Sequence, residues 1–359
     1  MRTGRRSRRI LLLSPGVGGG DGVSAVARDA WHALRERGEE LLVLSLHDPP
    51  GAIAGPGEMR LAGGRRSALA GWVLREALVS REQTVVVCMH LHLAPLALLL
   101  ALRRMQVFVF LHGIEAWRPL SLLQRVALGS PRVGLIANSH YTEREFRRAN
   151  PGLAARQVQV CHLGVDEPAS PEALPGGLEP GFALAMGRLH EGYKGHDELL
   201  GVWPALLVAH PGARLVVAGD GPDRGRLEAR SRALGLEGAV RFLGRVSDGE
   251  REALYRACAF LALPSRGEGF GLVYAEAMRA GRSCLAGPGA PAEVVSHGET
   301  GLVVDPMQRS DLEAALLRLF EDESSRERWG AAGRARQQAL FTRDAFGARL
   351  SLALGLEPC

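Results

Sequence analysis

Apolar residues in this chain gather in short, dense runs, separated by longer stretches where they recur every three or four positions. In the first half the runs are residues 10–13, 41–46, 85–89, 107–111, 133–137 and 157–161. A strand that is apolar throughout is buried on both faces, whereas a half-wetted strand alternates. Between the runs lie helical stretches: residues 24–37 are amphipathic and closed by Gly38, residues 95–105 follow the third run, and another helix starts near Tyr141. This alternation predicts a parallel sheet with helices on both faces. Residues 48–64, rich in Gly and Pro, read as a loop.

Residues 166–181 hold four prolines, three glycines and four acids with almost nothing to bury, and read as a linker. A second series of runs follows at 183–186, 214–218, 240–243, 260–263, 283–286 and 301–304, with helices at 196–209 and 248–257. Helical segments at 310–321 and 324–338 and a last helix after Phe341 end the chain. The expected fold is therefore α/β, with two doubly wound Rossmann-like domains facing across a cleft. Their bounds are 1–165 and 182–340, with 341–359 as a C-terminal helix packing back on the first domain. A length of 359 residues suits two such cores.

Composition adds a charge asymmetry. Residues 1–170 carry 22 Arg against 14 acids, and the remainder carries 22 cations against 25 acids. The basic half is expected to face something anionic. Aromatics are only 5% of the chain, too few to interleave with the arginines as stacking platforms, so nucleic acid is not expected. An anionic membrane surface fits the charge, and the five arginines among the first nine residues would assist. No run is long and uninterrupted enough to span a bilayer, and the N-terminal apolar run is too short for a signal peptide. Five scattered cysteines without a CxxC pair suit a reducing cytoplasm and argue against a disulfide framework or zinc ribbon. His90 and His92 are ligand types, but no third ligand accompanies them. Forty-three of the 44 cations are arginine; the exception is Lys194.

The turn GVGGGDG after the first run raises a nicotinamide enzyme, but the third glycine of that fingerprint is Asp21 here, or Val23 in the shifted frame. No P-loop is present. Gly18, Gly19 and Gly20 would still offer amides at a helix start to an anion or a sugar. The densest signal is PSRGEGFGLVYAEAMRAG, residues 264–281, where Glu268 stands in a glycine-rich loop and Glu276 in the following helix. A carboxylate accepts two vicinal hydroxyls, which suits a ribose and a hexose. Upstream, Arg188 and Lys194 flank the loop GRLHEGYKGHDELL, where two cations can neutralise a diphosphate as it leaves.

Read together, GRL…YKGHD, VVAGDGPD, VRFLGRVS, PSRGEGFGLVYAEAM and APAEVVSHGETGLVVDP resemble the retaining glycosyltransferases of family 4, which have the GT-B fold. The resemblance covers the second domain; GVGGGDGVS, FLHGIEAW, ANSHYTEREF and QVCHLGVD extend it more weakly into the first. Two stretches depart from the pattern: Gly281-Arg282-Ser283 stands where Gly-x-Pro is usual, and Ala292 separates Pro291 from Glu293.

The resemblance implies that Glu276 binds ribose hydroxyls and that Glu268 contacts the hexose. The amides of Phe270, Gly271 and Leu272 would hold sugar and phosphate beside Gly187, and Arg188 and Lys194 would bind the diphosphate. His112 would stand near the transferred sugar on the first-domain side. It also implies a nucleotide-sugar donor, GDP-mannose or a UDP-hexose, with no metal or other cofactor. The wording is nearest to bacterial enzymes of exopolysaccharide or lipid-linked repeat-unit assembly, with a glycan or polyprenyl-linked acceptor at the inner face of the plasma membrane. An epimerase or hydrolase of the same fold, or a non-catalytic nucleotide-sugar-binding subunit, are the alternatives.

Overall fold

The computed structural model describes residues 8–51, 58–79, 83–190 and 192–356. Arg2, Arg5 and Arg6 of the basic cluster, and Cys359, lie outside them. The described residues divide into two compact units, those up to Gly164 together with those from Arg343 onward, and those from Val165 to Thr342.

The first unit holds seven strands: β1 (Arg9–Ser14), β2 (Glu40–Ser45), β3 (Glu58–Leu61), β4 (Val85–Cys88), β5 (Gln106–Leu111), β6 (Val133–Ala137) and β7 (Val158–Val160). They form one parallel sheet in the order β3-β2-β1-β4-β5-β6-β7. Helices α1 (Gly22–Glu36), α2 (Arg66–Val79), α3 (Ala94–Leu102), α4 (Leu122–Gly129) and α5 (His140–Ala149) connect them. Leu11, Leu13, Val86, Val107 and Val109 are buried in one core with Val73, Ala97 and Leu128 of α2, α3 and α4, which explains the apolar runs. Strand β3 lies inside the stretch expected to be a loop. Its sequence, EMRL, is only half buried at the sheet edge, so no apolar run announces it.

The second unit repeats the plan with β8 (Ala183–Met186), β9 (Leu215–Ala218), β10 (Val240–Gly244), β11 (Phe260–Leu263), β12 (Ser283–Ala286) and β13 (Gly301–Val303), ordered β10-β9-β8-β11-β12-β13. Its helices are α6 (His196–Ala209), α7 (Arg224–Ala233), α8 (Asp248–Ala257), α9 (Leu272–Arg279), α10 (Pro291–Val294), α11 (Arg309–Glu321) and α12 (Glu323–Leu340). Trp203 of α6 is fully buried among β-strand side chains.

The segment expected as a free linker is fastened along this unit. The Glu172 amide donates to the Gly249 carbonyl at 3.1 Å, the Gly181 amide donates to Ala257 at 2.9 Å, and Arg241 donates to the Gly176 carbonyl at 2.8 Å. A proline-rich segment with little to bury satisfies its backbone this way. The last helix, α13 (Arg343–Ala353), belongs to the first unit, where it packs on α1. Arg349 donates to the His162 carbonyl at 2.9 Å, and Arg343 pairs with the buried Asp29 at 3.4 Å.

Candidate active site

In each unit the connections reverse direction beside one strand: at β1, between β2 and β4, and at β8, between β9 and β11. Loops that diverge at such a point leave a crevice at the carboxyl ends of the strands, the usual ligand position in an open α/β sheet. The residues singled out above lie in these loops or directly after them, except His112, which follows β5.

In the second unit Gly187, Arg188 and Lys194 follow β8, and Glu268, Phe270 and Gly271 follow β11. The two loops are tied together. The Tyr193 carbonyl accepts from the Arg266 amide at 2.7 Å and from the Ser265 hydroxyl at 3.2 Å. Gly195 has φ +85°, and a Cβ there would stand 2.6 Å from the Pro264 carbonyl oxygen, so the approach requires glycine. The result is an ion pair between the Lys194 ammonium and the Glu268 carboxylate, with side chains 13% and 15% exposed. Burial opposes the charge on Lys194, but the field and hydrogen bond of Glu268 outweigh it and hold the amine above the ordinary lysine value. Arg188 is exposed. The Gly187 amide is spent on the Ala218 carbonyl at 3.0 Å, so this glycine contributes room beside the Lys194 stem rather than a donor.

Glu276 projects from α9, whose start is set by Gly271 at φ +94° with no side-chain cap. That leaves the amides of Gly271 and Leu272 at the positive end of the helix. Phe270 is buried, its ring edge-on to Phe341 at 5.7 Å, so its side chain belongs to the core. Glu276 Oε2 accepts from the hydroxyl of buried Tyr255 on α8 at 2.7 Å, and Arg251 Nε lies 4.0 Å from Oε1. Burial and the Glu276 charge push the Tyr255 phenol well above its ordinary value, so it remains a donor. Sequence reasoning passed over Tyr255 and Arg251, because a tyrosine on an amphipathic helix carries the signature of ordinary core.

In the first unit the glycine loop needs a correction. The Val17 and Gly18 amides donate to the carboxylate of buried Asp48 at 2.7 and 3.1 Å, and Asp21 caps α1 by accepting from the Val23 and Ser24 amides at 3.0 Å. Gly18 therefore has no amide to offer an anion, and the helix start already holds a carboxylate; Gly19 and Gly20 remain. Asp48 stands in the loop after β2, three residues past Ser45, where nothing in the local sequence marks it out.

His112 follows β5. Its Nε2 lies 2.7 Å from the Met89 carbonyl, which places the proton on that nitrogen and leaves Nδ1 as an acceptor. The backbone around it is fixed by Glu115, which accepts from the His112 amide at 2.7 Å, and by Asn138, whose amide donates to the His112 carbonyl at 2.6 Å. His90 Nδ1 accepts from the His92 amide at 3.1 Å. Among the described residues no cluster of three or more His, Cys, Asp or Glu is placed to hold a metal ion. Nor is any described helix long and apolar enough to cross a membrane.

Burial lowers the basicity of His90, His112 and His196, with His90 and His196 brought from the ordinary 6.5 to about 4. As pH falls through 6.5 the unfolded chain protonates His90 and His196, while the folded chain refuses those two protons until near 4. Stability should therefore drop on acidification across that window, by about 1.4 kcal/mol per pH unit for each of these two histidines. Thermal melts stepped through the window should show the slope. His196→Gln should remove one histidine's share, and an unchanged slope would refute the assignment.

The family described as "Glycosyl transferases group 1" matches residues 167–336. The chain is 31% identical over 284 residues to the GDP-mannose-dependent alpha-(1-6)-phosphatidylinositol monomannoside mannosyltransferase of Mycobacterium tuberculosis, covering 72% of each chain. It is 33% identical over 174 residues to a GDP-mannose-dependent monoacylated alpha-(1-6)-phosphatidylinositol monomannoside mannosyltransferase of Corynebacterium glutamicum, covering 46% of this chain and 45% of that one. With several of its curated relatives the match spans less than half of their length.

Among solved structures, Anabaena HepE in complex with UDP and glucose superposes with a TM-score of 0.77 at 22% identity, covering 97% of this chain and 99% of that one. The sucrose-phosphate synthase of Thermosynechococcus elongatus gives 0.76 at 21%, covering 96% and 98%. At such identities these likenesses speak to the fold, two parallel-sheet Rossmann-like units of the GT-B kind. Given 31% identity across nearly three quarters of a mycobacterial mannosyltransferase, the chain belongs to the group 1 glycosyltransferases.

Proposed function

We propose that this chain is a retaining, metal-independent glycosyltransferase of family 4. It would move a hexose from a nucleoside-diphosphate sugar to a glycan or polyprenyl-linked saccharide, in the assembly of bacterial exopolysaccharide or lipid-linked repeat units at the cytoplasmic face of the membrane. The observation that carries the reading is the Lys194–Glu268 pair between the β8 and β11 loops, with Arg188 on the same loop as Lys194 and Glu276 on the next helix. In this reading the bond between the sugar's anomeric carbon and the diphosphate oxygen breaks, and the acceptor hydroxyl bonds to that carbon from the same face. The hydroxyl proton passes to the departing diphosphate. Lys194 and Arg188 stabilise the charge that grows there, where a fixed cation is worth more than in water. Glu268 meets the sugar hydroxyls, and neutral His112 offers Nδ1 as an acceptor.

GDP-mannose is the first donor candidate and a UDP-hexose the second, in keeping with the GDP-mannose-dependent relatives and the UDP-bound neighbour. Thermal stabilisation by GDP, UDP, ADP and dTDP without added metal tests this. A ligand that binds only the folded state raises stability by about 2.7 kcal/mol at a hundred times its Kd. GDP is expected to raise the melting temperature most. Stabilisation by UDP alone would reverse the donor order, and no response to any of the four would refute the donor site.

A further inference from the structure

We infer that the outward face of the α2–α3–α4 layer of the first unit is a docking surface for an anionic lipid bilayer. This deepens the membrane part of the reading above, but it rests on features of the first unit that the donor site does not use.

Thirteen large apolar side chains are exposed among the described residues, and eight of them stand on these three helices. On α2, Leu74 and Leu78 are one turn apart and 54% and 68% exposed. On α3 the pair is Leu99 and Leu102; on α4, Leu122, Leu123 and Val126 occupy adjoining turns. Helix α3 packs between α2 and α4, and each helix turns a different set of residues to the sheet, among them Val73, Leu100 and Leu128. The exposed leucines therefore share the side of the layer that the core does not need. Eight exposed large apolar side chains concentrated on three neighbouring helices mark an interaction surface rather than ordinary scatter.

Charge selects the occupant. Arg66 and Arg75 on α2 and Arg125 on α4 are exposed, as are Arg118 and Arg132 on either side of α4. The one carboxylate within the three helices is Glu76, which is 2% exposed and held between Arg9 and Arg60. The helices thus present leucine and arginine with no exposed acid of their own. Leucines that enter the acyl boundary beside arginines at the phosphate level are what an interfacial surface needs, the arginines being drawn to an anionic leaflet. A second copy would instead set arginine against arginine.

The test is co-sedimentation of the full chain with vesicles of a zwitterionic lipid alone and of the same lipid mixed with an anionic one. Binding is expected to the mixed vesicles, to weaken as salt rises, and to fall about tenfold or more in Leu122→Ser/Leu123→Ser. Arg118→Glu/Arg125→Glu should lose it by a separate route, and both variants should melt like the parent chain. No binding at low salt would overturn the proposal, as would binding that survives both variants. So would a concentration-dependent dimer that the leucine variant abolishes, since the face would then serve self-association. Nucleoside-diphosphate stabilisation measured on the same variants should be unchanged, which separates failure here from failure of the donor site.

Discussion

Lys194→Ala is expected to lower kcat/KM for sugar transfer by about a hundredfold to a thousandfold, with the protein still folded. Lys194 is the single lysine among 44 cations, and its ammonium is paired with Glu268 across two loops. A point charge at that position acts on the departing diphosphate in the proposed reaction. It also holds Glu268, so the substitution removes a cation and leaves a largely buried carboxylate unpaired. Two costs from one deletion predict non-additivity: Glu268→Gln added to Lys194→Ala should cost much less than it does alone. Lys194→Arg should rescue poorly, since a planar fork does not replace a compact ammonium. Circular dichroism with steady-state rates checks this, and near-parental turnover in Lys194→Ala would end the proposed role.

Glu276→Ala is expected to weaken nucleoside-diphosphate binding by about tenfold to a hundredfold, the scale of losing hydrogen bonds to a charged group. Tyr255→Phe should weaken it less, by about tenfold, although Tyr255 is buried and is not assigned to the ligand. Its hydroxyl occupies Glu276 Oε2 at 2.7 Å and thereby orients Oε1. Removing the donor while keeping the ring frees the carboxylate to turn. The diagnostic is selectivity: the parent chain should prefer a ribonucleoside diphosphate over its deoxyribose counterpart, and Tyr255→Phe should narrow that ratio. A variant that melts lower yet keeps the ratio would show that Tyr255 supports the fold only.

The strands of both sheets were legible from the chain, because a parallel sheet covered by helices needs strands that are apolar throughout, as Leu11–Leu13 and Leu261–Leu263 are. The exception proves the reason: β3 lies at an edge, is half buried and gave no such run. The second-unit candidates were legible because glycine punctuation and unusual residue types, Lys194 above all, stand out in one dimension. Tyr255 and Asp48 do not stand out. Each acts through a hydrogen bond to a distant segment, 21 residues away for Tyr255 and 30 or 31 for Asp48, and composition carries no trace of such a bond.

Local sequence thus determined the element types, the two α/β units and the residues near the β8 and β11 strand ends, since burial and turn chemistry act over a few residues. Only the tertiary structure decided which of those residues meet. It paired Lys194 with Glu268 across 74 positions, spent the Gly18 amide on Asp48, and left leucines of three neighbouring helices exposed. Those outcomes depend on strand order and loop approach, which are set by packing of the whole sheet and not by any segment alone.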